Sequence, residues 1–259
     1  MTLNKESVGI IFSGGGTKGL AHAGALQLLE ELHIIPTKIA ATSAGSIIAC
    51  MYAWGMKPEE ILEFFKTIDF FSWRHFTFRK AGFIDSNSFK SYFENIFQQA
   101  TIGDLNIDTY ITATDIVRGK LRIFDKNIKI TDAILASCAF PGVMSPYEIN
   151  NNLYADGGIL NHFPSDLLQG RCETLIGVYV SPNQNIEATD ITSIKSVMSR
   201  SLDLMMDYMN QNKFSLCDIL IQPEELALYG TFESKKHKMQ LIYDIGYEAA
   251  KESLANINI

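Results

Sequence analysis

The chain has 259 residues, 47% of them hydrophobic, and a formal charge of -7 from 22 Lys and Arg against 29 Asp and Glu. This is enough apolar chain to bury one large α/β core, and the acidic balance excludes the basic footprint of a nucleic-acid binder. No apolar run approaches the roughly 20 residues that span a bilayer, and no Pro/Ser/Gly-rich linker interrupts the sequence, so a single domain over residues 1–259 is expected.

Val8 to Phe12 is a continuous apolar run, as in a strand buried on both faces, and it feeds the turn Ser13-Gly14-Gly15-Gly16. Leu20 to Leu32 follows as a helix, with Leu20, Ala23, Ala25, Leu28, Leu29 and Leu32 supplying its apolar surface. Pro36 punctuates before a second strand, Lys38 to Thr42, and a second helix, Ala44 to Trp54, ended by Gly55. Pro58 with Glu59 and Glu60 marks the first turn of a third helix, where proline is tolerated and acids suit the dipole. Two βα units with short connections predict a parallel sheet.

Phe70, Phe71, Trp73, Phe76, Phe78 and Phe83 then cluster among Arg74, Arg79 and Lys80, either filling core or forming an acyl-chain entrance or membrane-facing cap. Ser88 to Gln98 reads as an amphipathic helix, Thr109 to Thr114 and Lys120 to Phe124 as strands, and Ile130 to Ala139 as a helix stopped at Pro141-Gly142. Tyr147 to Ala155 suggests a hairpin around Asn150-Asn151-Asn152 that opens into Asp156-Gly157-Gly158. Thr174 to Val180 is a buried strand. Ile191 to Lys213 is a long helical pattern whose Met198, Met205, Met206 and Met209 read as core filler in preference to a lipid surface. Asp218 to Ile221 and a helix from about Ser234 complete the chain.

Cys50, Cys138, Cys172 and Cys217 are too dispersed for a metal site or disulfide framework and read as small buried hydrophobes. With no cleavable signal in Met1 to Ser7, the expected location is cytoplasmic. Any contact with an anionic membrane then requires apolar insertion or a local basic patch.

Three stretches carry chemistry. Ala41-Thr42-Ser43-Ala44-Gly45 has the form AxSxG at a strand-to-helix junction, which either presents a nucleophile or merely caps a helix. Gly14 to Gly19 lies between a strand and a helix, where bare backbone turns its amides toward a developing oxyanion. Gly14, Gly16 and Gly19 also satisfy GxGxxG, but a dinucleotide site needs an acid at the end of the next strand, and that strand ends at Thr42-Ser43. Asp156 is either an Asp-Gly turn residue or the base for the serine. His162 and His237 follow it in the order Ser, Asp, His, although His237 reads as a solvated helix start, His162 as a loop or core residue and His22 as structural.

The loop, the serine elbow and Asp156-Gly157-Gly158, in this order, resemble the patatin-like phospholipase family in its bacterial type. Thr114-Asp115, Gly119-Lys120, Ala136 to Gly142, Asn161 and Pro164 extend the resemblance over roughly Val8 to Val180. It implies a three-layer α/β/α fold with a mainly parallel central sheet and a Ser43/Asp156 dyad that needs no histidine, metal or cofactor. Oxyanion amides come from Gly14, Gly15 and Gly16, and Lys18 takes the basic, substrate-binding position of the loop. The implied reaction is hydrolysis of a lipid ester, phospholipid or lysophospholipid, with transient peripheral membrane contact and no nucleic-acid partner, and the oligomeric state is left open. Ala41 stands where the family usually has glycine, and its extra methyl, by straining the elbow, leaves a weakly active or inactive lipid-binding or regulatory protein as the alternative expectation.

Overall fold

The computed structural model describes residues 3–68, 82–183 and 185–258. Of the aromatic cluster, only Phe83 falls within these residues, where it is exposed. The strands are β1 (Val8–Phe12), β2 (Lys38–Thr42), β3 (Asp108–Asp115), β4 (Lys120–Ile123), β5 (Tyr147–Ile149), β6 (Asn152–Asp156), β7 (Thr174–Val178) and β8 (Ile219–Ile221). They form one sheet in the order β5-β6-β3-β2-β1-β7-β8, with β4 paired to β3. From β3 to β8 along this path every pairing is parallel, and β4, β5 and β6 add antiparallel pairings at one side.

The continuous apolar runs of β1, β2 and β7 are explained by burial on both faces. Successive residues alternate between two cores. Ile10, Phe12, Ile39, Ala41, Ile176 and Val178 join the larger one, while Ile11, Ala40 and Leu175 join a smaller one with Phe163, Leu168 and Tyr179.

The helices are α1 (Leu20–Glu31), α2 (Ala44–Trp54), α3 (Pro58–Thr67), α4 (Lys90–Phe97), α5 (Ile130–Ser137), the single turn α6 (Gly158–Asn161), α7 (Ile194–Phe214) and α8 (Lys236–Leu254). The hairpin expected around the asparagines is present. Asn150 and Asn151 have φ of 49° and 61°, the positive values a two-residue primed turn requires, and asparagine tolerates them better than most residues.

The methionines of α7 depart from expectation. Met206 is buried, but Met198, Met205 and Met209 are exposed. The helix rests on the domain by one face only, so methionines on its other faces meet solvent and do not fill core.

α1 and α8 cross in backbone contact. A Cβ built on Gly24 would lie 1.9 Å from the Tyr243 carbonyl oxygen, and one on Gly246 would lie 2.0 Å from the Ala21 carbonyl oxygen. Tyr243 and Tyr247 then donate across the same interface to Gln27 Oε1 (2.8 Å) and Glu31 Oε2 (2.7 Å). Gly246→Ala is therefore expected to destabilise the fold by about 1–3 kcal/mol, the range for overpacking. Urea unfolding measures this, and an unchanged midpoint would count against the crossing.

Candidate active site

The sheet register brings the serine and the aspartate together. Thr42 at the end of β2 is level with Thr112 of β3, and the next β3 residue, Ala113, is level with Asp156 of β6. Ser43 follows Thr42 at φ 52° and ψ -128°, outside the regions an L-residue prefers. Such a conformation costs about 1–3 kcal/mol and persists only where its surroundings hold it. Here Ser137 Oγ accepts the Ser43 amide (2.8 Å), and Ser46 donates both its amide (2.8 Å) and its hydroxyl (2.5 Å) to the Ser43 carbonyl. Gly45 allows the sharp exit into α2, because a Cβ there would lie 2.6 Å from the Ser13 carbonyl oxygen.

The helix-cap alternative is excluded by where the hydroxyl goes. Ser43 Oγ makes no capping bond to α2 and donates to Asp156 Oδ2 at 2.5 Å. Ala41, the residue that raised concern, is fully buried in the larger core, where its methyl packs as an ordinary core group.

Asp156 is 2% exposed. Its second oxygen accepts the Gly158 amide (2.7 Å), its own amide donates to the Ala139 carbonyl (2.9 Å), and Thr114 Oγ1 donates to its carbonyl (2.9 Å). Burial pushes its carboxyl up to about 6, although the bonds from Ser43 and Gly158 favour the ionised form. A carboxylate raised toward neutrality and bonded to a hydroxyl is suited to take that proton.

Of the three glycine-loop amides expected to face an oxyanion, two are uncommitted. The Gly14 amide is committed to the His162 carbonyl oxygen (3.2 Å), so it is removed from the oxyanion set. Its N–H faces the segment that carries His162. The amides of Gly15 and Gly16 have no acceptor among the described residues, and both residues line the cavity at Ser43. Sequence reasoning missed a third candidate donor, the amide of Ala44 at the N-terminus of α2, which also lines the cavity and follows the serine directly.

Neither His22 nor His162 bonds the serine or the aspartate. His22 Nε2 donates to the Ser13 carbonyl (2.9 Å) and braces the loop, its pKa lowered by burial to about 3. His162 lines the cavity with its pKa lowered to about 4 by burial and by the charge of Lys18, so it stays neutral near pH 7. His237 is exposed at the start of α8. Lys18 is 7% exposed and reaches the same cavity. No cluster of three metal-ligating side chains occurs among the described residues, and none of their helices is long and apolar enough to cross a membrane.

The cavity over Ser43 measures about 560 Å³ and is walled on one side by Ile47, Phe65, Phe140, Val143, Met144 and Phe232. Its floor carries a stability consequence. With a folded-state carboxyl near 6 against an ordinary 3.8, stability is lost progressively as pH rises between those values, and the full cost of ionisation is present above about 6. Asp156→Asn is expected to raise Tm relative to the parent at about pH 8, with the gain vanishing below about pH 4. Thermal unfolding against pH measures it.

A family model described as Patatin-like phospholipase matches residues 10–168. Lysophospholipase NTE1 of Candida glabrata is 28% identical over 188 residues, covering 69% of this chain and 11% of the fungal protein. An uncharacterized NTE family protein of Mycobacterium tuberculosis is 30% identical over 166 residues, covering 63% of this chain and 46% of the relative. The chain thus spans less than half the length of either. An uncharacterized protein of Acanthamoeba polyphaga mimivirus is 25% identical and matches nearly end to end, with 96% of this chain and 94% of the relative covered. Among solved structures, VipD from Legionella pneumophila superposes on 98% of this chain and 67% of its own at TM-score 0.63 and 14% identity. The type III effector ExoU of Pseudomonas aeruginosa does so on 98% and 53% at TM-score 0.51 and 14% identity. The family match spans the glycine loop, the Ser43 elbow and Asp156, the three stretches that the fold gathers at one cavity, and the chain belongs to the patatin-like phospholipase family.

Proposed function

We propose that this chain is a serine acyl hydrolase that cleaves ester bonds of phospholipids or lysophospholipids through an acyl-Ser43 intermediate. The observation that carries the reading is the 2.5 Å bond from Ser43 Oγ to a buried Asp156 carboxylate, with no histidine nitrogen on either group among the described residues. Membership of a phospholipase family and likeness to a protein named lysophospholipase support the lipid ester as substrate.

In the first half-reaction Ser43 Oγ attacks the ester carbonyl carbon while its proton passes to Asp156 Oδ2. The carbonyl oxygen becomes an oxyanion between the amides of Gly15, Gly16 and Ala44, a set of preorganised donors whose individual loss typically costs about 100- to 1,000-fold. Collapse breaks the ester C–O bond, and the leaving alcohol oxygen takes the proton back from Asp156. In the second half-reaction water loses a proton to Asp156 and attacks the acyl-Ser43 carbonyl. The fatty acid departs and Ser43 Oγ recovers its proton. The apolar wall from Ile47 to Phe232 holds the acyl chain, and Lys18 faces the anionic part of the substrate. Transient peripheral contact with a lipid surface supplies that substrate, and the reaction employs no cofactor.

A fluorophosphonate probe is expected to label wild type on Ser43 and to leave Ser43→Ala unlabelled. Ser43→Ala and Asp156→Asn are expected to lower kcat/KM for p-nitrophenyl butyrate by about 1,000-fold or more, as for residues that act as a catalytic unit, while His237→Ala leaves it unchanged. Wild-type turnover by Asp156→Asn overturns the dyad. Because Asp156 accepts the proton, it works only ionised. The kcat/KM profile is therefore expected to rise with pH through about 6, and a limb set instead by a histidine removed in His162→Asn would refute the assignment.

A further inference from the structure

The two ends of the cavity differ in chemistry. Besides the apolar residues, the lining includes Lys18 of the glycine loop and Arg200, Asp203 and Asp207 of α7, with Lys18 close enough to Asp203 for the two charges to attract. Positions 200, 203 and 207 are three and four residues apart, so they share one helical face, and α7 lays that face along the opening. Of the α7 methionines only Met206 lines the cavity, and Met198, Met205 and Met209 lie outside it.

These charges are not consumed in pairing with one another. Lys18, more than nine-tenths buried, has no hydrogen-bond acceptor and no ion-pair partner among the described residues, and Asp203 accepts no hydrogen bond there. Burial presses the Lys18 ammonium down and the Asp203 carboxyl up, and their mutual attraction only partly offsets this. Arg200 and Asp207 are spaced by Asn183, which accepts from Arg200 Nη1 (2.9 Å) and donates to Asp207 Oδ2 (3.3 Å). Tyr179 hydroxyl donates to Asp207 Oδ1 (3.3 Å) and fixes that carboxylate from behind. The outcome is a cavity lined by two cations and two anions, with Arg200 and Asp207 fixed by hydrogen bonds and the Lys18 ammonium left without an acceptor among the described residues.

An ammonium on a largely buried side chain, partly desolvated and without an acceptor, is costly, and a ligand anion relieves that cost. A neutral head group leaves Lys18 unrelieved. A head group with a second negative charge meets Asp203 and Asp207, and like-charge contact is an effective means of rejection. A head group with one phosphate and one ammonium satisfies both signs.

We infer that the polar end of the cavity is a head-group reader that selects zwitterionic phospholipids, with Lys18 and Arg200 on the phosphate and Asp203 and Asp207 on the ammonium. The inference rests on Ser43 as acyl nucleophile and deepens that reading by assigning α7 to substrate choice.

The test compares lysophosphatidylcholine with lysophosphatidylglycerol of the same acyl chain as monomers, each kcat/KM divided by the same enzyme's value for p-nitrophenyl butyrate. Wild type is expected to prefer the choline lipid by tenfold or more. Asp203→Asn combined with Asp207→Asn is expected to bring the ratio close to one. Lys18→Met is expected to weaken both lipids together, chiefly through KM. Equal rates in wild type, or an Asn pair that keeps the preference, overturn the head-group reader even when butyrate turnover and Ser43 labelling are intact. Absence of labelling and of butyrate turnover overturns the hydrolase reading instead. Binding of the two lipids to Ser43→Ala reports the head-group preference without turnover. There the choline lipid is expected to bind tenfold more tightly or better, and equal Kd values refute the inference.

Discussion

A carboxylate buried to 2% exposure and held 2.5 Å from a serine hydroxyl is the interaction around which this domain is arranged. Its two oxygens are divided between the Ser43 hydroxyl and the Gly158 amide, so the group is not free to swing, and among the described residues it has no cation for a partner. Desolvation makes it a stronger base than an exposed aspartate, which is what a hydroxyl needs from a partner that is not an imidazole. The cost of burial falls on the fold, and the register of β2, β3 and β6 is what carries it. A slip by one residue would turn Asp156 to the opposite face.

The same cost explains the polar framework behind the site. Thr42 and Thr112 meet at 2.6 Å between their hydroxyls, and Thr42 Oγ1 donates onward to the Asn161 carbonyl (2.8 Å). Ser137, Ser46 and Thr114 hold the backbone on each side of the dyad. These residues touch no substrate in the proposed mechanism. They keep a strained serine and a desolvated acid in one geometry, and the two glycine-loop amides derive their value from that fixity.

Much of this was legible in the sequence because it rests on local rules. Continuous apolar runs gave β1, β2 and β7, the asparagine triplet gave the hairpin, and the serine between small residues gave the elbow. What was not legible depends on long-range placement. The commitment of the Gly14 amide to His162 is invisible in a glycine-rich string, because all three glycines look alike until the segment after β6 is laid beside them. Methionines at helical spacing in α7 look like core, since periodicity reports a face without saying what covers it. Ser137, far from Ser43 in sequence, has no motif of its own. The charged face of α7 escaped notice because Arg200, Asp203 and Asp207 have the composition of any solvated helix, and only the cavity beside them gives the pattern meaning.

The crossing of α1 and α8 also bears on how the protein is made. The glycine loop, the elbow and Asp156 all precede α8 in the chain, so the residues that meet at the cavity leave the ribosome before it. Yet α1, which leads directly out of the glycine loop, has its apolar flank covered only when Gly246 arrives against Ala21, and Leu3 is tied by its amide to the carbonyl of Asn258. A nascent chain therefore holds the residues of the cavity on an unfinished support until α8 is made. The Ser43 pocket therefore leans on a helix some two hundred residues away in sequence, and loosening α8 from α1 would loosen the support of the glycine loop without touching any residue that lines the cavity.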